Sequence, residues 1–199
     1  WTGTPIEEAG WNTTRCSREE ILVRGEMIDG RPRFDLQIPG HSKEAPLLRR
    51  VNSPTEISDT YLDVVVNSRI PDMVADLIGA NVKFHHSKIN AKLPGANTEV
   101  KWHQDIQFWP HTNYSPLTVG TYLYDCGMEQ GPLAVLPSSH DFEPLFSQYG
   151  PDGKWVGALD PADLATLDLS RAKYLTGPAG SLTIHNCRAL HASPRNLSD

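Results

Sequence analysis

Cysteine is scarce in this 199-residue chain: Cys16, Cys126 and Cys187 are odd in number and far apart, which excludes a disulfide framework and suits reduced thiols in a cytoplasmic protein. Basic charge is also short. The 18 lysines and arginines stand against 24 acidic residues, for a net charge of −6, so there is no global positive field to hold nucleic acid or an anionic membrane surface. Partners are therefore expected to be small molecules. No apolar run approaches the length of a membrane span. The opening Trp1-Thr2-Gly3-Thr4-Pro5 is neither a signal peptide nor an initiator methionine, so a soluble chain lacking its natural N-terminus is expected. There is no internal repeat and no low-complexity tract. With 39% apolar residues, the length suits one domain with a single core. The sequon-like runs at Asn12 and Asn113 carry meaning only in a secreted chain and are set aside.

Residues 1–50 are rich in Gly, Pro and charge, with one alternating stretch, 33–38, that reads as a strand ending at Pro39-Gly40. From Ser53 the signals become helical. Ser53 is a candidate N-cap, Pro54 fits the first helical position, and Ile57, Tyr61, Val64 and Val65 fall on one face. A second helix is expected from Pro71, carrying Met73, Val74, Leu77 and Ile78 inward and stopping at Gly79. Beyond Asn81 the period changes to two, with strand-like runs at 82–92, 99–107, 117–125, 132–136 and 180–186. The interval 141–176 breaks that rhythm and reads as an insertion of the kind that acts as a lid, with a capped helix start at Asp160-Pro161. The expected fold is mainly β, a jelly roll with helices packed outside, in which 1–80 give N-terminal and helical support and 81–199 form the core.

The sharpest chemical feature is Lys101-Trp102-His103-Gln104-Asp105. If it lies in a strand, residues i and i+2 share a face, and His103 and Asp105 can chelate one ion. Taken alone the pattern is weak, because eight histidines and 14 aspartates in 199 residues give roughly half of one His-x-Asp by chance. An iron oxygenase site uses two histidines and one carboxylate on a triangular face and leaves other positions open, so a third ligand is required. Residues 180–193 offer His185 and His191. On one extended strand these would stand about 20 Å apart, so only one of them reaches the metal.

The runs Ser87–Lys92, Trp102-His103-Gln104-Asp105, Gly131–His140 and Leu190–Asn196, taken in order, resemble the phytanoyl-CoA dioxygenase family over roughly residue 82 to the end, with its ectoine hydroxylase-like members nearest. The resemblance implies a double-stranded β-helix and an Fe(II)- and 2-oxoglutarate-dependent dioxygenase. In such an enzyme O2 is consumed, 2-oxoglutarate is released as succinate and carbon dioxide, and an unactivated C–H bond of a small polar or amphipathic metabolite is hydroxylated. It implies that His103, Asp105 and His191 hold the iron, which selects His191 over His185. It also implies that Lys92, Tyr122 and Ser193 lie near 2-oxoglutarate, and that His86 and Trp109 line the substrate pocket. The stretch before His140 is expected to make that residue a turn histidine, and His41, His85 and His111 carry no motif. His86 and the His111–Pro116 run depart from the ectoine enzymes, so ectoine is not the expected substrate.

An arginine on a strand beyond the distal histidine would complete the resemblance, since a guanidinium grips a carboxylate in a bidentate fork. Arg195 does not match that position, and the expectation is that a final strand follows Asp199. Two other readings compete. A related halogenase is disfavoured by Asp105, whose carboxylate fills the place a halide would take. A non-catalytic or zinc-holding jelly-roll binding module is the alternative from a different class.

Overall fold

The computed structural model describes residues 34–36, 42, 44–45, 47–96, 98–109 and 111–199, which fall into two compact units, one through Thr98 and one from Glu99. Cys16, Asn12, His41, the ends of the 33–38 run and the Pro39-Gly40 turn lie outside the described residues.

In the first unit, β1 (Phe34–Leu36), β2 (Leu48–Asn52) and β3 (Lys88–Asn90) form an antiparallel sheet in that order. Val51 stands opposite both Phe34 and Ile89, and Leu36 and Val51 are buried. Ser53 does not cap an α-helix. It is buried in the left-handed region at φ 47°, its N–H is donated to Ser87, and it opens a short 3-10 turn, Pro54–Glu56. The first α-helix, α1, runs from Asp59 to Asn67, and α2 from Ile70 to Ile78. As expected, α2 stops at Gly79, which has φ 101° and bonds back to Ala75. Of its four expected inward residues only Val74 is buried; Met73, Leu77 and Ile78 are exposed.

The second unit is built from β4 (Val100–His103), β5 (Leu117–Thr121), β6 (Leu133–Val135), β7 (Lys173–Leu175), β8 (Leu182–Asn186) and β9 (His191–Ser193), with one short helix, α3 (Pro161–Ala165). Four strands pair in the order β4-β9-β6-β7, and β5 pairs with β8. These are two sheets of a cupin-like jelly roll, in line with the period-two reading. The strands are shorter than the sequence runs because turns cut them. β4 ends at His103, and Asp105–Gln107 form a 3-10 turn. The chain also reverses between β8 and β9, where Ala189 N–H bonds Asn186 O and the Asn186 side chain accepts from Arg188 N–H.

The interval 141–176 is mostly at the surface, but it contributes to the core at Gln148, Ala158 and Leu159, which are buried. Leu159 joins Leu136 and Leu190 in a buried cluster, packed by Trp102, Phe142, Phe146, Leu164, Leu167 and Leu169. Its end supplies β7, and Asp160 caps α3 by accepting from Ala162 N–H. The tip, 151–156, is its longest unbroken exposed run. The segment is fastened by Gln148, fully buried, whose amide oxygen accepts from Gln104 N–H at 3.0 Å and whose amide nitrogen donates to Gln104 O at 2.9 Å. One side chain thus completes both backbone groups of the residue between His103 and Asp105.

Replacing Gln148 with Leu strands two buried backbone groups, each costing about 1–3 kcal/mol. Urea unfolding of Gln148→Leu is expected to show a loss of roughly 2–5 kcal/mol, whereas Lys154→Ala, on the exposed tip, stays within about 0.5 kcal/mol of the parent.

Candidate metal centre

His103 and His191 are direct partners across β4 and β9, with ring centroids 4.1 Å apart. Each ring is turned by its own backbone. His103 Nδ1 lies 2.8 Å from Lys101 O and His191 Nδ1 lies 2.9 Å from Ala189 O. A carbonyl only accepts, so each Nδ1 bears a proton, which leaves Nε2 as the ring nitrogen that can bind a metal. Both Nε2 atoms lie near Asp105: His103 Nε2 is 3.4 Å and His191 Nε2 3.7 Å from Asp105 Oδ1. One ligand atom from each of these three buried residues lies within 4.8 Å of the others, a group able to hold a metal ion.

His103 and Asp105 meet as the sequence implies but not by strand parity. Asp105 is brought round by the 3-10 turn, with Ile106 N–H bonded to Cys187 O. The 20 Å separation expected for His185 and His191 is wrong. Their ring centroids are 4.2 Å apart, because the turn at Asn186–Ala189 folds β9 back into a different sheet from β8. His185 Nε2 is 3.6 Å from Asp105 Oδ2, although His185 is not in the three-residue group. On β5, Thr118 faces His185 across the ladder, and its hydroxyl donates to Asp105 Oδ2 at 2.6 Å.

Burial alone would raise the Asp105 carboxyl. His103, His185, His191 and the Thr118 hydroxyl outweigh that effect and hold it well below the usual carboxylate range. Burial, followed by the proximity of His103 and His185, pushes His191 down to about 3. The pocket at neutral pH is thus an anionic carboxylate beside a neutral imidazole, and the ionic partners of Asp105 among the described residues are imidazoles. Two imidazoles, one carboxylate and a buried negative charge suit a divalent first-row ion bound on one face.

The other expected residues are more scattered. The Tyr122 hydroxyl donates to Leu175 O and accepts from Leu133 N–H, tying together opposed residues of β6 and β7. Ser193 donates to Gly131 O at 2.8 Å. Each hydroxyl donates its proton to a backbone carbonyl, and the expected roles of both residues near 2-oxoglutarate rest on the resemblance. Trp109 is half-buried and lies against Phe108, whose ring meets His103 edge-on at 5.6 Å and Trp155 at 5.0 Å. Gly157, at φ 69°, permits that packing, since a Cβ there would come within 2.8 Å of Phe108. Lys92, half-buried, and His86, exposed beside His85, belong to the first unit, and their expected roles rest on the resemblance. The sequence reading passed over Thr118, Gln104 and Gln148. Only Gln104 had a signal, its place between two ligands.

The jelly roll and its His-Asp-His group define a class, the mononuclear facial-triad metalloproteins. More particularly, residues 35–199 match the model of the phytanoyl-CoA dioxygenase (PhyH) family, and the chain belongs to that family. A protein of Stutzerimonas stutzeri named as a probable alpha-ketoglutarate-dependent hypophosphite dioxygenase is 37% identical over 153 residues, 76% of this chain and 53% of the relative. An ectoine dioxygenase of S. stutzeri strain A1501 is 24% identical, covering 90% of this chain and 65% of its own length. The chain spans between about half and two thirds of these curated relatives. In fold it is similar to EctD from S. alaskensis, solved with 2-oxoglutarate and 5-hydroxyectoine, at TM-score 0.64 and 24% identity over 78% of this chain and 53% of that one. It is also similar to EvdO2 from Micromonospora carbonacea var. aurantiaca, complexed with 2-oxoglutarate, at TM-score 0.63 and 22% identity over 83% and 67%.

The low value for His191 has a readable consequence in the metal-free protein. The unfolded chain takes up a proton at this histidine below about 6.5 and the folded one does not until about 3, so stability falls as pH drops through that window. Asp105 adds loss in the same direction, but only below its ordinary value of 3.8. From pH 7 to pH 5 the His191 contribution amounts to roughly 2 kcal/mol. Urea unfolding of metal-free protein is expected to show that decline, and His191→Asn to flatten it; equal pH slopes would refute the assignment.

Proposed function

We propose that this chain is the metal-binding part of an Fe(II)- and 2-oxoglutarate-dependent dioxygenase that hydroxylates a small polar or amphipathic metabolite. The observation that carries the reading is the three-ligand group, with both Nε2 atoms gathered about one carboxylate oxygen. In it His103, Asp105 and His191 hold the iron. When bound, the iron with 2-oxoglutarate and O2 supplies the oxidising chemistry, with succinate and carbon dioxide released. The chain's own residues do the rest. Lys101 O and Ala189 O hold the ring protons away from the metal face, Asp105 brings the negative charge, and Phe108, beside His103, gives an apolar wall. Trp109 extends that wall through its contact with Phe108.

A small substrate is supported by the relatives' named substrates, hypophosphite and ectoine, and by the net charge of −6, which offers nucleic acid no steering. Among the described residues no helix is long and apolar enough to cross a membrane. The same reading favours the cytoplasm, in keeping with the free thiols Cys126 and Cys187, the latter with its pKa raised chiefly by burial.

Succinate formation from 2-oxoglutarate under air, after anaerobic loading with Fe(II), tests the activity, with hypophosphite leading a panel of small polar candidates. Turnover is expected to require iron and to fall at least 100-fold in Asp105→Ala, because two neutral imidazoles leave the cation's charge uncompensated. Tight zinc binding with no succinate from any candidate would favour a binding module instead.

A further inference from the structure

We propose that Thr118 and His185 are positioning residues that fix Asp105 as a one-oxygen ligand, keeping Oδ1 for the metal and holding Oδ2 away from it. The proposal rests on the metal-centre reading above. The two oxygens of Asp105 have separate surroundings. Oδ1 faces the Nε2 atoms of His103 and His191, a cross-strand pair of the four-stranded sheet. Oδ2 faces Thr118 and His185, a cross-strand pair of the two-stranded sheet. Each sheet therefore presents one opposed pair of side chains, and the carboxylate lies between them.

Thr118 carries most of this division. Its hydroxyl donates to Oδ2 at 2.6 Å, the short distance of a charge-assisted bond. His185 closes the other side. Only 8% exposed, it has neither ring nitrogen within hydrogen-bonding distance of a partner, and the charged group its Nε2 approaches is Oδ2, at 3.6 Å. A buried imidazole left without a hydrogen bond is costly unless its position serves a neighbour, and here the neighbour is the carboxylate. The consequence for coordination is specific. A carboxylate free to rotate can offer both oxygens to one ion and fill a second position. Tied at Oδ2 it fills one, and more positions stay open for the small molecules that a facial triad must admit. Partners of metal ligands of this kind are worth 10–100-fold in metal affinity.

Co(II) titration of the whole chain, followed by its visible absorption, tests this without turnover. Thr118→Val is expected to weaken Co(II) binding about tenfold and to lower the visible absorption per bound ion, the signature of a higher coordination number. Thr118→Ser, which keeps the hydroxyl, should restore both affinity and spectrum. His185→Leu should shift the spectrum in the same direction with a smaller loss of affinity. Far-UV circular dichroism and the unfolding midpoint of each metal-free variant separate this effect from misfolding. Should Thr118→Val misfold, the Thr118→Ser and His185→Leu spectra decide. Wild-type affinity and spectrum in folded Thr118→Val, or failure of Thr118→Ser to restore them, would overturn the proposal. A parent protein that takes up no Co(II) would instead remove the metal-centre reading, and these roles with it.

Discussion

A single buried carboxylate organises the second unit. Asp105 is 3% exposed and ionised, and the groups around it are three imidazoles and a hydroxyl, none of them a permanent cation. Desolvating a charge in this way is expensive unless it is paired. The fold reduces that cost with the Thr118 hydrogen bond to Oδ2 and the imidazoles near both oxygens, but among the described residues the negative charge has no permanent counterion. Such a site is poised for a divalent cation. The placement of β4, β5, β8 and β9 can be understood from it, since each of these strands brings one side chain to the carboxylate.

Holding Asp105 still requires a turn that cannot flex, and the surroundings of Gln104 supply it. Gln104 is fully buried between two ligands, so every polar group it owns must be satisfied inside the protein. Gln148 takes its backbone N–H and carbonyl, Arg188 O takes its side-chain amide at 2.7 Å, and its amide oxygen accepts from Phe146 N–H. Arg188 is itself fixed by Phe142 O and Glu143, with its guanidinium over the Tyr114 ring. The network thus joins the ligand turn, the turn between β8 and β9, and residues 142–148.

The legibility of this site in the sequence tracks how local each interaction is. His103 and Asp105 stand two residues apart, and any structure that brings both side chains inward produces the chelate; strand parity pointed to the pair although a 3-10 turn delivers it. The helix stop at Gly79 and the cap at Asp160 were readable for the same reason, because they depend on neighbours a few residues away. The distance between His185 and His191 was misjudged because an unbroken strand was assumed through Asn186-Cys187-Arg188-Ala189. An asparagine between two apolar runs is a turn signal, and here its side chain does form the turn. Thr118 and Gln148 had no such signal. Thr118 matters through its register with His185, 67 positions away, and Gln148 through a contact 44 positions from Gln104. The outward Met73, Leu77 and Ile78 show the converse: periodicity reports an apolar face, but not what covers it.

The way 141–176 is fastened also bears on which parts of the second unit can vary without disturbing the three-residue group. Movement of the whole interval would expose Leu159 and uncover Phe142 and Phe146, and would strip Gln104 of the partners that hold the ligand turn. Those contacts tie the interval to the turn that carries Asp105. The part free of such ties is the exposed tip, 151–156, anchored through the Tyr149–Trp155 bridge and the Trp155 ring on Phe108. Trp155 sits one aromatic contact from a ring packed on His103. Changes in length or composition at this tip can therefore alter the wall beside the metal while leaving the ligands in place.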